Sequence, residues 1–202
     1  MAEVVSIIIK GGIVMIPLLA CSLISLALSI ERIIFWTKLK SKSVLQEILA
    51  LVENGEFEQA LKLGRTSGQP IARVLAAGIA HRNPAPAKAM EAAAQAEIPV
   101  LKSRLGVLDT IVTLAPLLGL LGTVVGMIGS FDVMSEAGLG QPHAVTGGVA
   151  EALIATATGL LIAILTLVPY NYFNTRVERE LDEMEHFSSS LELLLQPHEG
   201  KH

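Results

Sequence analysis

Cysteine is nearly missing from this chain: Cys21 is the only one among 202 residues. A single thiol excludes an internal disulfide and any cysteine-rich metal site. Set in an apolar run, it reads as a small side chain facing lipid or another helix. Charge is scarce as well, at 17% of residues, and the net charge of −4 argues against a nucleic-acid partner. Lys and Arg are missing altogether between Phe131 and Thr146, and no charged residue of either sign occurs in 13–30. What the chain has instead is 51% hydrophobic residues and a mean hydropathy of +0.57. That balance makes a bilayer the fitting solvent.

The expected fold class is an all-α integral membrane protein with three transmembrane helices. Residues 7–36 suffice, at about 1.5 Å per residue, to cross a hydrocarbon layer of about 30 Å with tilt. Pro17, early in that run, is expected to kink or loosen it. Leu18-Leu19-Ala20-Cys21 imitates a lipoprotein cleavage box, yet the apolar run continues to Ile30 and only Glu3 and Lys10 precede it. An uncleaved anchor is therefore expected. Phe35 and Trp36 suit an interfacial belt, followed by Lys38, Lys40 and Lys42. Further basic clusters lie at 82–88, 102–104 and 176–179, and a topology with the N-terminus outside puts all four on the cytoplasmic side. The resulting partition is 1–36 for the N-terminus and first span, and 37–106 for a cytoplasmic helical region. The second span takes 107–133, an external loop 134–143, the third span 144–173, and a cytoplasmic helix and tail 174–202.

Within the helical region, Val44, Leu45, Ile48, Leu49, Leu51 and Val52 mark an amphipathic helix, Asn54-Gly55 a turn, and Phe57 to about Gly64 a second helix. An apolar helix over 71–79 is broken at 83–86, and an alanine-rich helix starts at Ala87. Over 43–106 no nucleotide loop, nucleophile elbow or metal-ligand cluster is found, and no enzyme, cofactor or metal is expected. His81 beside Arg82 reads as a solvated helix end. The tail is amphipathic, with Leu181, Met184, Leu191, Leu194 and Leu195 on its apolar side.

The second span holds LAPLLGLLGTVVGMIGSF at 114–131. Gly119, Gly122, Gly126 and Gly129 recur at steps of three and four, so they share a narrow helical arc with Ala115. Glycines stacked on one face admit another helix backbone, the packing that replaces hydrophobic drive inside lipid. Thr123 stands beside that arc. The third span divides into a leucine-rich side and a broad arc of small and polar residues that includes Gly148, Glu151, Thr156, Thr158 and Gly159. Glu151 and Thr158 lie on one edge of that arc and Thr156 on the other, about 140° away. An ionised acid at a helix centre costs on the order of 3 kcal/mol, which makes Glu151 a candidate for a proton or ion pathway. The alternative is an acid near the outer interface that hydrogen-bonds between helices. For Thr123, Thr156 and Thr158 the alternative is bonding back to a carbonyl one turn earlier.

The run Ala115-Pro116-Leu117-Leu118-Gly119-Leu120-Leu121-Gly122-Thr123-Val124 with Gly126-Met127-Ile128, and the run from Ala150-Glu151-Ala152-Leu153 through Ala155-Thr156-Ala157-Thr158-Gly159-Leu160 with Tyr170-Asn171, resemble the MotA/TolQ/ExbB proton-channel family. The resemblance is strongest to the ExbB/TolQ biopolymer-transport branch. It implies a homo-oligomer, a pentamer, in the bacterial inner membrane, whose second and third spans line a pore. An ExbD/TolR-like single-span partner would bear the proton-accepting aspartate, and a TonB/TolA-like energy transducer would receive the work. Thr123 and Thr156 would then be pore hydroxyls and Glu151 the third-span acid. A MotA-type flagellar or gliding stator, a self-sufficient channel or transporter and a non-conducting membrane scaffold are the competing readings. With one intramembrane acid and no inverted repeat, the chain offers little for alternating access. Pro169, just before Tyr170-Asn171, departs from the family pattern and is expected to bend the third span's inner end.

Overall fold

A computed structural model describes residues 11–39, 42–137 and 142–196. Among them the chain forms seven helices and no strand: α1 (Met15–Lys38), α2 (Lys42–Glu53), α3 (Phe57–Thr66), α4 (Pro70–Ala80), α5 (Pro86–Leu101), α6 (Leu105–Ala137) and α7 (Pro142–Leu195). Three stretches are long and apolar enough to cross a membrane, within Met15–Glu53, Leu105–Ser135 and Thr146–Leu195. Residues 1–10, Lys40, Ser41, part of the expected external loop (138–141) and 197–202 lie outside the described residues. Helix flanks that loop more closely than expected, because α6 runs on to Ala137 and Pro142 opens α7. Proline suits a first helical position, where the missing N–H would have no intrahelical partner.

Pro17 acts differently from the sequence expectation. Pro17 is the third residue of α1, among the N–H groups that no helix satisfies, so it removes nothing from the ladder. Pro169 lies inside the 54-residue α7, which continues through it.

Contacts divide the chain into two units, one from Met1–Arg32 and Arg104–Tyr172, the other from Ile33–Ser103 and Phe173–His202. The first holds the apolar parts of α1, α6 and α7. Its core joins Val14, Met15, Leu18 and Cys21 of the first strand of sequence with Ile111, Ala115 and Leu118 of α6 and Ile162 and Ala163 of α7. Cys21 therefore faces helices. Outward, Leu117, Leu120, Val124 and Ile128 on α6 and Leu153, Leu161, Ile164 and Leu165 on α7 are exposed, a surface suited to lipid or other membrane helices. Arg104 opens this unit at φ 68°, a left-handed conformation that costs a side-chain-bearing residue roughly 1–2 kcal/mol, and its guanidinium reaches Glu31 at 3.6 Å.

The second unit is a small helical domain. Gly55, at φ +78°, turns α2 into α3 where Asn54-Gly55 predicts it. Helix α4 is central, with eight of its eleven residues buried. Gly64 lets α3 close onto it, since a Cβ there would stand 2.8 Å from the Ala72 carbonyl. Phe173, Val177, Met184 and Leu191 bury the inner side of the tail helix at near-heptad spacing, while Leu194 is exposed, contrary to the sequence expectation. Trp36, expected in an interfacial belt, is 4% exposed with the Arg176 guanidinium 5.5 Å from its ring centre. Arg73 grips Glu97 through two hydrogen bonds of 2.7 and 2.6 Å. The hydrogen bond to Glu97, helped by its charge, holds the Arg73 pKa above its ordinary value, against the lowering effect of partial burial. His81 is exposed at the end of α4, its Nδ1 3.0 Å from the Ala77 carbonyl.

Candidate functional site

The arc of small residues on α6 meets the small-polar arc of α7 along one seam. Gly119 packs on the backbone at Thr156, where a Cβ would come within 3.0 Å of the Thr156 Cα. Gly122 faces Ala155, and Gly126 faces the Gly148 carbonyl and Ala152. From the other side, Gly159 lies against the Ala115 carbonyl and the Gly119 Cα, and Gly148 against Ser130 and the Gly126 carbonyl. Gly119, Gly122, Gly126, Gly148 and Gly159 thus lie against neighbouring helix atoms within this chain. At Gly129 a Cβ would meet nothing within 4 Å.

The threonines separate. Thr156 donates across the seam to the Gly119 carbonyl, at 2.8 Å and 37 residues away in sequence. Such a bond requires the two backbones to touch, and the glycines allow it. Thr123, one turn further along α6, donates to its own helix at Leu120, 2.6 Å away. Thr158 does the same to Ile154 at 2.8 Å. Both side chains are half-buried, with hydroxyl lone pairs still able to accept.

Glu151 stands apart from the Thr156 bond, as its 140° offset requires. Its carboxylate rests against the backbone of Gly12, where any side chain would collide with it, and Gly12 has the left-handed φ of +74°. Next to it, Gly11 faces Ile154, one turn along α7. The acid thus sits where the chain entering α1 crosses α7, half-buried. The structure brings Thr123 and Thr156 to one stretch of the seam and places Glu151 with Thr158 on another side of α7.

One polar contact escaped the sequence reading. Ser25 and Thr166 are both buried and 2.7 Å apart. Thr166 gives its proton to the Ile162 carbonyl at 2.7 Å, so Ser25 is the donor to Thr166. Its signal was absent from the sequence, because one serine in an apolar helix is unremarkable.

Residues 66–186 match the sequence profile of the MotA/TolQ/ExbB proton channel family. Over 191 residues, 91% of each chain, the sequence is 37% identical to the biopolymer transport protein ExbB-like 3 of Synechocystis sp.. It is 41% identical over 90 residues, 45% of this chain and 40% of the relative, to the Tol-Pal system protein TolQ of Haemophilus influenzae. A similar stretch of 85 residues, 42% of this chain and 57% of the relative, is 38% identical to the biopolymer transport protein ExbB of Aquifex aeolicus. The match takes in α4, α5, the whole α6–α7 seam and part of the tail helix, and the chain belongs to the MotA/TolQ/ExbB proton channel family.

Proposed function

We propose that this chain is the pore-forming subunit of a proton-driven motor in a bacterial inner membrane, of the ExbB/TolQ type, with its N-terminus outside. It acts as a homo-oligomer, a pentamer, around an ExbD/TolR-like single-span partner whose aspartate accepts the proton. A TonB/TolA-like transducer takes up the work, and this chain performs no enzymatic step. The observation that carries the reading is the seam: the Thr156 hydroxyl bonded to the Gly119 carbonyl at 2.8 Å, with Thr123 one turn further on.

The chemistry follows from what these groups are able to do. A threonine hydroxyl does not ionise near neutral pH, but its oxygen accepts a hydrogen bond while its proton is held by a carbonyl. Thr123 and Thr156 therefore solvate and orient a protonatable group without holding the proton themselves. The dense glycine packing keeps α6 and α7 as one rigid wall, so movement is left to the partner inside it. Glu151, held against Gly12, guards the entry to the path. Flux through the reconstituted complex tests the roles: Glu151→Ala and Thr156→Val should each depress partner-dependent proton flux with the oligomer intact. Unchanged flux in both would favour a non-conducting scaffold.

A further inference from the structure

The small helical domain carries a groove between α5 and the tail part of α7, with a volume of about 250 Å³. Buried Met90 and Met184 form its floor together with Leu181, and Glu91, Glu185 and Glu192 line it, with no Lys or Arg among the described residues there. Methionine adapts its shape to an irregular apolar partner. Glu185 and Glu192 stand two turns apart on one helix, so they share a face about 10 Å long. The opposite charge is presented by α3. Its Lys62 and Arg65 are exposed and lie within about 60° of one another around the helix, with half-buried Leu61 beside Arg65. Glu58 belongs to the same ridge, which keeps a net positive charge. Among the described residues, neither the three carboxylates of the groove nor the two cations of α3 take part in an ion pair.

The two surfaces lie on opposite sides of α4. Gly64 of α3 packs on Ala76, whereas Met90 of α5 and Leu191 of the tail helix converge on Gly78. Ala76 and Gly78 point about 160° away from each other, so a copy cannot lay its own α3 into its own groove. The next copy can. We propose that the groove between α5 and the tail helix receives α3 of a second copy of this chain, with Lys62 and Arg65 against Glu185 and Glu192 and with Leu61 on the methionine floor. Leu61 and the methylene stems of Lys62 and Arg65 supply the apolar contact, and the charges fix orientation and keep two acidic grooves from facing one another. A contact that joins different patches of two copies is heterologous, the arrangement that closes into rings. The inference rests on the homo-oligomer proposed above and uses none of the residues of the α6–α7 seam.

The test uses the full chain in membranes, with Cys21→Ala to remove the native thiol. Two differently tagged chains are co-expressed, one with Arg65→Cys and the other with Glu185→Cys, and are oxidised and separated by size, with native mass read alongside. A disulfide-linked product carrying both tags is expected. Adding Lys62→Glu to the Arg65→Cys chain should lower its yield severalfold, and adding Glu192→Lys to the other chain as well should recover it. No product carrying both tags, in an oligomer of parental native mass, would overturn the contact and leave the proposed function standing. A yield that Lys62→Glu does not change would overturn the charge pairing. A parent chain of monomeric native mass would bring down the homo-oligomer reading itself, and this contact with it.

Discussion

The hydroxyl of Thr156 and the carbonyl of Gly119 meet at 2.8 Å, which ties α7 to α6 at the point where both helices are thinnest. In membrane proteins such bonds average roughly 0.6 kcal/mol and reach about 1.7 kcal/mol. Thr156→Val should therefore lower stability in detergent by about 1 kcal/mol. Thr156→Ser should stay near the parent. Equilibrium unfolding with a mild-detergent and denaturing-detergent mixture measures both.

The glycines give a sharper contrast, because their surroundings differ. A Cβ on Gly159 would come to 2.5 Å from the Ala115 carbonyl and 3.1 Å from the Gly119 Cα, both backbone atoms that cannot turn aside. Gly159→Ala should destabilise by about 1–3 kcal/mol through forced separation of the helices. Gly129→Ala meets open space and should be neutral or stabilising by up to about 1 kcal/mol, the helix-propensity gain. The same unfolding assay, run on both, checks that the seam and not glycine content sets the result.

Ser25 and Thr166 are expected to couple weakly. Thr166 keeps its bond to Ile162 when Ser25 is replaced, so Ser25→Ala leaves no donor stranded. A double-mutant cycle with Thr166→Val should give a coupling energy of about 0.6 kcal/mol. A coupling indistinguishable from zero would mean that the two hydroxyls do not share a proton in the folded chain.

In the second unit, Arg73 and Glu97 form a two-point pair, with side chains 38% and 13% exposed. Partial exposure keeps its worth modest, and Glu97→Gln should cost about 1 kcal/mol. The sign of the alkaline dependence follows from Arg73, whose pKa is raised above its ordinary value, first by the Glu97 hydrogen bond. A raised cationic pKa stabilises fully below the unfolded value and is lost only as pH climbs through the folded one. From neutral to moderately alkaline pH, the stability gap between parent and Glu97→Gln should therefore not change because of Arg73. Thermal melts followed by circular dichroism across that range test it.

Much of the seam was legible because its determinants are local. The steps of Gly119, Gly122 and Gly126 fix one face of α6 by helical geometry alone, and the small-polar arc of α7 is defined the same way. Three-span architecture followed from apolar length. What sequence did not disclose depends on contacts between distant segments. That Gly12 receives Glu151 needs the crossing of α1's approach over α7, and the Ser25 and Thr166 pair needs their relative height. Pro17 was misjudged because its effect turns on where α1 begins, and helix ends are weakly encoded. Trp36 was read from its position after an apolar run, yet a neighbouring, half-buried arginine from α7 stands over its ring.

In the proposed motor this chain builds the proton's surroundings while a partner carries the proton. Proton flux into liposomes holding the purified chain alone, against liposomes holding chain and single-span partner together, separates the two roles. Flux is expected only with both components present, and is expected to vanish when the partner's aspartate is replaced by asparagine. Equal flux from the chain alone, or no flux from the assembled complex, would overturn that division of labour.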